Sequence, residues 1–333
     1  MTLNEFLDEW NSESPLVLVH TSGSTGAPQP LWVEKERMKA SAMMTCRFLG
    51  LKQGDTALLC MPLQFIAGKM MAVRALVGGL ELETIAPCGH PMAVAQHIPT
   101  FAAMVPLQVY NSLQVEEERE RLQQIRQLII GGGIVSDEVE RQLSTFPHAV
   151  WSTYGMTETL SHIAMRRLNG KEASEWYCPL PSVNVSINEE GCLVIDAPLV
   201  CSQPLTTNDM AVMAPDGRHF RIIGRKDNII CSGGIKIQIE EVERLLQPHL
   251  NTPYSITRTR DDKYGEVVTM LIEAPLTSEL NHRLNSIFEE VLPLYARPRR
   301  ILSINHLLLT ATGKPARAEA EQWANSHRKD GDS

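Results

Sequence analysis

Short apolar runs bounded by turn residues recur along the first half of the chain: PLVLVHT at 15–21, DTALLCMP at 55–62, LELETI at 80–85, FAAMVP at 101–106, RQLIIGG at 126–132 and AVWSTYG at 149–155. Their length and flanks predict strands. Between them EKERMKASAMMTCRFLG, AGKMMAVRALVG, VYNSLQVEEERERLQQI and SDEVERQLSTF carry helical spacing; the third has a solvated polar face, and the last starts on the Ser136/Asp137 signal. Strands and helices alternating in this way build an α/β unit, a mostly parallel sheet covered by helices. Such sheets bind ligands outside the carboxyl ends of their strands. The glycine and hydroxyl runs at 21–26, 131–133 and 153–158 fall there.

After about residue 176 the pattern changes to short β-like pieces such as VNVSINEEGCLVIDAP and GRHFRIIGR, which predict a small β subdomain. A helix at IQIEEVERLLQ, strands at SITRTR and EVVTMLIEA and a helix at SELNHRLNSIFEEVL then read as a separate α+β domain. The expected division is 1–226 and 227–333, within the stretch from Gly224 to Asn228.

Composition narrows the function classes. With 43% hydrophobic and 21% charged residues in 333, the chain has the profile of a soluble globular protein large enough for two cores. A net charge of −8 argues against nonspecific nucleic-acid binding, and no apolar stretch is long enough for a membrane-spanning helix. The opening MTLNEFLDEW is acidic where a secretory signal would be basic, so a cytoplasmic location is the default expectation. Seven cysteines without a CxxC pair suit neither a zinc site nor a disulfide framework and read as small hydrophobes, so no structural metal is expected.

The stretch VHTSGSTGAPQP offers backbone amides that can converge on an anion, with hydroxyl donors beside them. It is not a Walker A loop, because Pro28 and Gln29 stand where Gly and Lys belong, and it misses GxSxG because Ser22 replaces the first glycine. Alone it reads equally as a flexible connection. Its companions are GGG at 131–133, YGMTET at 154–159, ND at 208–209, GRKDNIICSGGIKIQIEEVE at 224–243 and TATGKPAR at 310–317. In that order the set resembles the acyl-CoA synthetase, or adenylate-forming, superfamily over nearly the whole chain. Within it, YGMTET, the compact size and MPLQFIAG at 61–68 resemble the o-succinylbenzoate-CoA ligases of menaquinone biosynthesis.

The resemblance implies ATP, Mg²⁺, CoA and a carboxylic acid as small-molecule partners. It also implies a fold in which a small mobile C-terminal lid serves an AMP-binding core. Thr21, Ser22, Gly23, Ser24, Thr25 and Gly26 would hold the β and γ phosphates, with Gln29 replacing the usual lysine. Gly131, Gly132, Gly133 and Gly155 would flank the adenine, and Tyr154, otherwise a core residue, would stack on it. Thr157 would touch the α-phosphate and Glu158 would ligate Mg²⁺. Asp209, after Asn208 in place of a glycine, would hold the ribose, and Arg225 would support the ribose or the phosphates; Asp227 would be the hinge, and Gly233 and Gly234 would approach pantetheine. Lys314, on a loop before a helix opened by Pro315, would bridge the reacting carboxylate and α-phosphate.

For the acyl pocket the resemblance points to Phe65, Gly68, Ser161 and Arg74, with Gln64 and His162 as further lining. Arg74 would pair with the ring carboxylate that stays free during activation, and Lys69 competes for that role. Relatives carry a further subdomain before the phosphate loop, whereas here the loop begins at Thr21, so a shortened N-terminal unit is expected. A homodimer stays open. Two other readings stand beside the ligase: another aryl- or acyl-CoA ligase or a carrier-protein-loading enzyme, and a nucleotide-binding module without catalysis.

Overall fold

The computed structural model describes residues 1–20, 30–310 and 315–327. The predicted phosphate loop, Thr21 to Gln29, and Lys314 lie outside the described residues. The chain forms two compact units. The first holds Met1–Asn188, Val194–Thr207 and Met213–Arg221; the second holds Glu189–Leu193, Asn208–Val212 and Ile222–Ser333.

In the first unit, helix α1 (Leu3–Asn11) opens on a capping box in which the Thr2 hydroxyl accepts from Glu5 N and Glu5 returns to Thr2 N. Strands β1 (Leu16–His20) and β2 (Pro30–Glu34) pair antiparallel, Leu16 opposite Glu34, in a sheet of their own. The run at 15–21 is therefore a strand, but it does not enter the parallel sheet. Helix α2 (Lys35–Leu49) ends on Gly50. Then follow β3 (Thr56–Leu59), α3 (Ile66–Gly78), β4 (Glu81–Thr84), α4 (Pro91–Val94) and β5 (Phe101–Met104). Next come α5 (Pro106–Gln114), α6 (Glu116–Leu122), β6 (Gln127–Ile130), α7 (Asp137–Leu143), β7 (Ala149–Gly155), β8 (His162–Arg167) and β9 (Cys178–Pro179). The Ser136 hydroxyl caps α7 by accepting from Val139 N, as its sequence signal predicts.

Strands β3 to β9 form one seven-stranded sheet in the order β4-β3-β5-β6-β7-β8-β9. The first five strands in that order run parallel, and β8 and β9 add antiparallel pairings. All four residues of Phe101–Met104 are buried, as are Leu58, Ile130 and Val150, because helices cover both faces of a parallel sheet. The helix predicted across 109–125 is two helices: Val115 takes extended backbone, and Glu118 at the start of the second is buried, accepting from Ser112 Oγ at 2.9 Å and facing His90 Nδ1 at 2.7 Å. A cluster of Ser112, Glu118 and His90 accompanies the break in the helical pattern.

Strands β10 (Asn184–Ile187), β11 (Cys192–Asp196), β12 (Leu205–Met213) and β13 (Phe220–Arg225) follow the main sheet, and the chain passes between the two units within the last three. In the second unit, β14 (Ile229–Ser232) and β15 (Ile235–Gln238) form a hairpin closed by Gly233 and Gly234. Their φ of +57° and +84° is the left-handed pair that a two-residue hairpin demands and that side chains resist. Helix α8 (Ile239–Leu246), β16 (Tyr254–Asp261), β17 (Gly265–Ile272), α9 (Ser278–Val291), β18 (Arg300–Ser303) and α10 (Arg317–His327) complete it. Strand β17 alternates: Val268, Met270 and Ile272 pack with α8 and α9 residues such as Leu246 and Phe288, while Leu271 packs with Ala320 and Ala324 of α10. Pro315 does not open α10; it bridges Leu309, and the helix starts two residues later at Arg317.

Candidate active site

The seven-stranded sheet delivers several of the predicted residues to the carboxyl ends of β6 and β7. Gly131, Gly132 and Gly133 follow β6, and Tyr154 and Gly155 end β7. Tyr154 is half-buried, with its ring 5.9 Å from that of Tyr177 and 5.4 Å from Phe220. Beyond the strand a tight turn at Thr157–Thr159 buries Thr157 and leaves Glu158 exposed. Gly155 is the tightest point, since a Cβ there would lie 2.2 Å from the Ser161 carbonyl oxygen and 2.5 Å from His162 Cα. Absence of a side chain lets β8 return close against β7, which sets Ser161 and His162 at the strand end.

Across from them, α3 begins after the half-buried Phe65, and Gly68 in its first turn sits against the Pro62 carbonyl. One Arg74 nitrogen, Nη2, donates to Ser161 Oγ. Arg74 is 2% exposed, the only arginine among the described residues so withdrawn from solvent. Its Nε is buried with no partner among the described residues, and no carboxylate there pairs with it. Burial pushes its pKa down to about 10, which still leaves it charged at neutral pH. Arg37, Arg121 and Arg221 also hold an unpaired buried nitrogen, but each is less buried overall; Arg37 and Arg221 are ion-paired to a glutamate, and Arg121 donates to the Ala95 carbonyl.

Ser161 Oγ lies 3.3 Å from His162 Nδ1, His162 Nε2 lies 3.0 Å from Thr45 Oγ1, and Thr45 Oγ1 donates to the Ser41 carbonyl at 3.1 Å. Burial first, and the Arg74 charge second, hold the His162 pKa well below the ordinary imidazole value. Thr45 and Ser41 were absent from the residues singled out by motif. Their signal is a pair of hydroxyls one turn apart on an otherwise apolar helix face with Met38, Ala42 and Leu49, all buried on α2.

Lys69 does not join this group. Its Nζ binds Glu9 Oε2 of α1 at 3.0 Å and lies 5.1 Å from the Phe6 ring centroid, so its charge is neutralised inside the fold. Glu9 also accepts from Leu18 N at 3.1 Å, through its other oxygen. Motif spacing gives no sign of Glu9.

In the second unit, Arg225 reaches Asp209 Oδ1 at 3.5 Å and Asp227 Oδ2 at 3.2 Å, and Asn208 Nδ2 donates to the same Asp227 oxygen at 3.2 Å. Asp227 lies in the turn Lys226–Asn228, whose Lys226 pairs with Glu190 at 2.6 Å. The structure thus brings Asp209, Arg225 and Asp227 together. The Gly233 amide donates to the Tyr264 carbonyl at 2.9 Å, so the hairpin turn is tied down.

Among the described residues no three His, Cys, Asp or Glu side chains converge as a metal cage. An exposed Glu158 beyond the end of β7 has the donor chemistry Mg²⁺ takes, since that ion keeps waters and binds one or two carboxylates plus phosphate oxygens.

Residues 4–198 match the AMP-binding enzyme family. The chain belongs to that family. It is 32% identical to the acyl-CoA synthetase (AMP-forming)/AMP-acid ligase II-like protein of Dyadobacter fermentans, covering 95% of this chain and 91% of that one with a TM-score of 0.64. Against the 2-succinylbenzoate–CoA ligase of Listeria monocytogenes it is 24% identical, covering 96% of this chain and 72% of the relative. The o-succinylbenzoate CoA synthetase of Bacillus subtilis, solved with the acyl-adenylate intermediate OSB-AMP, shares the fold at a TM-score of 0.76 and 21% identity, covering 91% of this chain and 68% of that one. The chain is therefore an α/β adenylate-forming fold and an AMP-forming ligase by family. Among the described residues no helix is long and apolar enough to cross a membrane.

Proposed function

We propose that this protein is an o-succinylbenzoate-CoA ligase of menaquinone biosynthesis that uses ATP and CoA. The observation that carries the substrate assignment is Arg74: a buried guanidinium with an unpaired Nε and no carboxylate partner among the described residues. A buried charge without a partner costs several kcal/mol, roughly, unless a counter-charge arrives. A dicarboxylic substrate supplies one, since its ring carboxylate can pair with Arg74 while its succinyl carboxylate reacts.

In the first half-reaction a succinyl carboxylate oxygen attacks the α-phosphorus of ATP, the bond to the β-phosphate oxygen breaks, and pyrophosphate leaves. In the second, the CoA thiol loses its proton to solvent, its sulfur attacks the acyl carbon, AMP departs with the acyl–oxygen electron pair, and a thioester remains. Charge on phosphoryl oxygens must be stabilised in both steps, so catalysis rests on position and electrostatics. Thr157 is assigned to the α-phosphate, Gly131–Gly133, Tyr154 and Gly155 to the adenine, and Asp209 with Arg225 to the ribose. Glu158 would hold Mg²⁺, which neutralises phosphate charge when bound. Thr21–Gly26 and Lys314, outside the described residues, are assigned to the distal phosphates and the reacting carboxylate. Residues 227–333 are assigned as the lid turning on Asp227, with Gly233 and Gly234 beside pantetheine. Seven free thiols suit a cytoplasmic protein.

The test is acid-dependent pyrophosphate exchange and thioester mass across a panel of carboxylic acids, with Arg74→Ala as control. The expected result is a preference for o-succinylbenzoate that the variant loses. An unchanged preference in the variant would discard the pocket assignment, and a wild-type preference for another acid would discard the substrate.

A further inference from the structure

The contacts behind Arg74 fix the direction of every proton between it and helix α2. Arginine can only donate, so Ser161 Oγ is an acceptor toward Arg74 Nη2. At the other end the Ser41 carbonyl can only accept, so the Thr45 hydroxyl spends its hydrogen there at 3.1 Å. Thr45 Oγ1 must then accept from His162 Nε2 at 3.0 Å, which places the imidazole hydrogen on Nε2. A neutral ring with that hydrogen presents a bare Nδ1, and the Ser161 hydroxyl hydrogen points to it across 3.3 Å. The Thr45 end demands this tautomer, and the Ser161 hydroxyl is free to donate to the bare Nδ1 it leaves. His162, Thr45 and Ser41 are 7%, 0% and 2% exposed, so water does not offer these groups an alternative.

We propose that His162, as the neutral Nε2-protonated imidazole, is a positioning residue that turns the Ser161 oxygen toward Arg74 Nη2 and so fixes the guanidinium, whose Nε has no partner among the described residues, for the substrate's second carboxylate. The proposal rests on the reading of Arg74 above and deepens it by naming what sets selectivity for a dicarboxylic acid. A ring that donated from Nδ1 would leave the Ser161 hydroxyl hydrogen without this acceptor and the Thr45 oxygen facing an unprotonated nitrogen.

The experiment compares o-succinylbenzoate with benzoylpropionate, the same acid without the ring carboxylate, in wild type, His162→Phe and His162→Asn. Asparagine keeps an acceptor where Nδ1 stands; phenylalanine keeps only the shape. His162→Phe is expected to raise KM for o-succinylbenzoate by about tenfold, the effect of misdirecting one charge-assisted hydrogen bond, with kcat and the benzoylpropionate KM little changed. His162→Asn should recover most of the loss. Equal losses for both acids in His162→Phe, or none for either, would overturn the relay while leaving the Arg74 reading intact. A wild type indifferent to the ring carboxylate would overturn both. If His162→Phe does not fold, Thr45→Val at the far end of the chain of bonds decides by the same criterion, with a smaller loss confined to the dicarboxylic acid expected and an equal loss or none overturning the relay.

Discussion

Lys69 and Arg74 stand five residues apart on α3, and both are almost fully withdrawn from solvent, at 1% and 2% exposure. One meets a carboxylate from α1 and an aromatic ring; the other meets a serine hydroxyl and keeps a bare nitrogen. On a helix that spacing turns the two side chains to different sides, so one faces the N-terminal helix and the other the end of the β7–β8 hairpin. The same burial thus has two meanings. A paired buried cation is part of the fold, whereas Arg74, with no carboxylate partner among the described residues, is the one we assign to an anion from outside.

The largest expected effect tests the paired side. Glu9→Gln strands Lys69 without a counter-charge and should cost about 3 kcal/mol of stability in urea unfolding, with acid preference unchanged. Joint replacement, Glu9→Leu with Lys69→Met, should restore most of it, because shape-matched apolar groups need no desolvation. Arg74→Met should do the opposite: stability holds or rises, while kcat/KM for o-succinylbenzoate falls by about 2 kcal/mol of recognition energy, roughly thirtyfold. Arg74→Lys should recover part, because charge remains but the planar fork does not.

Gly155→Ala should cost about 1–3 kcal/mol in unfolding and reduce acid selectivity, since its methyl group would displace the Ser161 backbone. The smallest effect is in pH. An unfolded imidazole takes up its proton near the ordinary 6.5, but folded His162 does so only at lower pH. Between those values the unfolded state binds more protons, so stability is full above 6.5 and falls as pH drops below it. The thermal midpoint should decline on acidification, and less steeply in His162→Asn. Equal slopes would place the acid sensitivity elsewhere.

Much of this was legible along the chain. The alternating runs gave the parallel strands and their helices because periodicity records which face is buried, and Ser136 marked a helix start because its hydroxyl caps an amide. The split helix around Val115 was not legible in the pattern, and the Glu118 contact with His90 that accompanies it joins residues 28 apart in the chain. Likewise Glu9 and Thr45 carry no motif. They matter through partners 60 and 117 residues distant.

By itself the sequence determined the chemistry available: the order of glycine, hydroxyl and charged motifs that marks an adenylate-forming ligase, and the two cations on one helix that could meet an acid. It favoured Arg74 but left Lys69 as a competitor, since both are basic residues in the same apolar pattern. Tertiary structure separates their surroundings, bringing Glu9 to one and, among the described residues, the Ser161 hydroxyl but no carboxylate to the other. The worth of a buried charge is set by what surrounds it in space, and that is fixed only when distant segments pack.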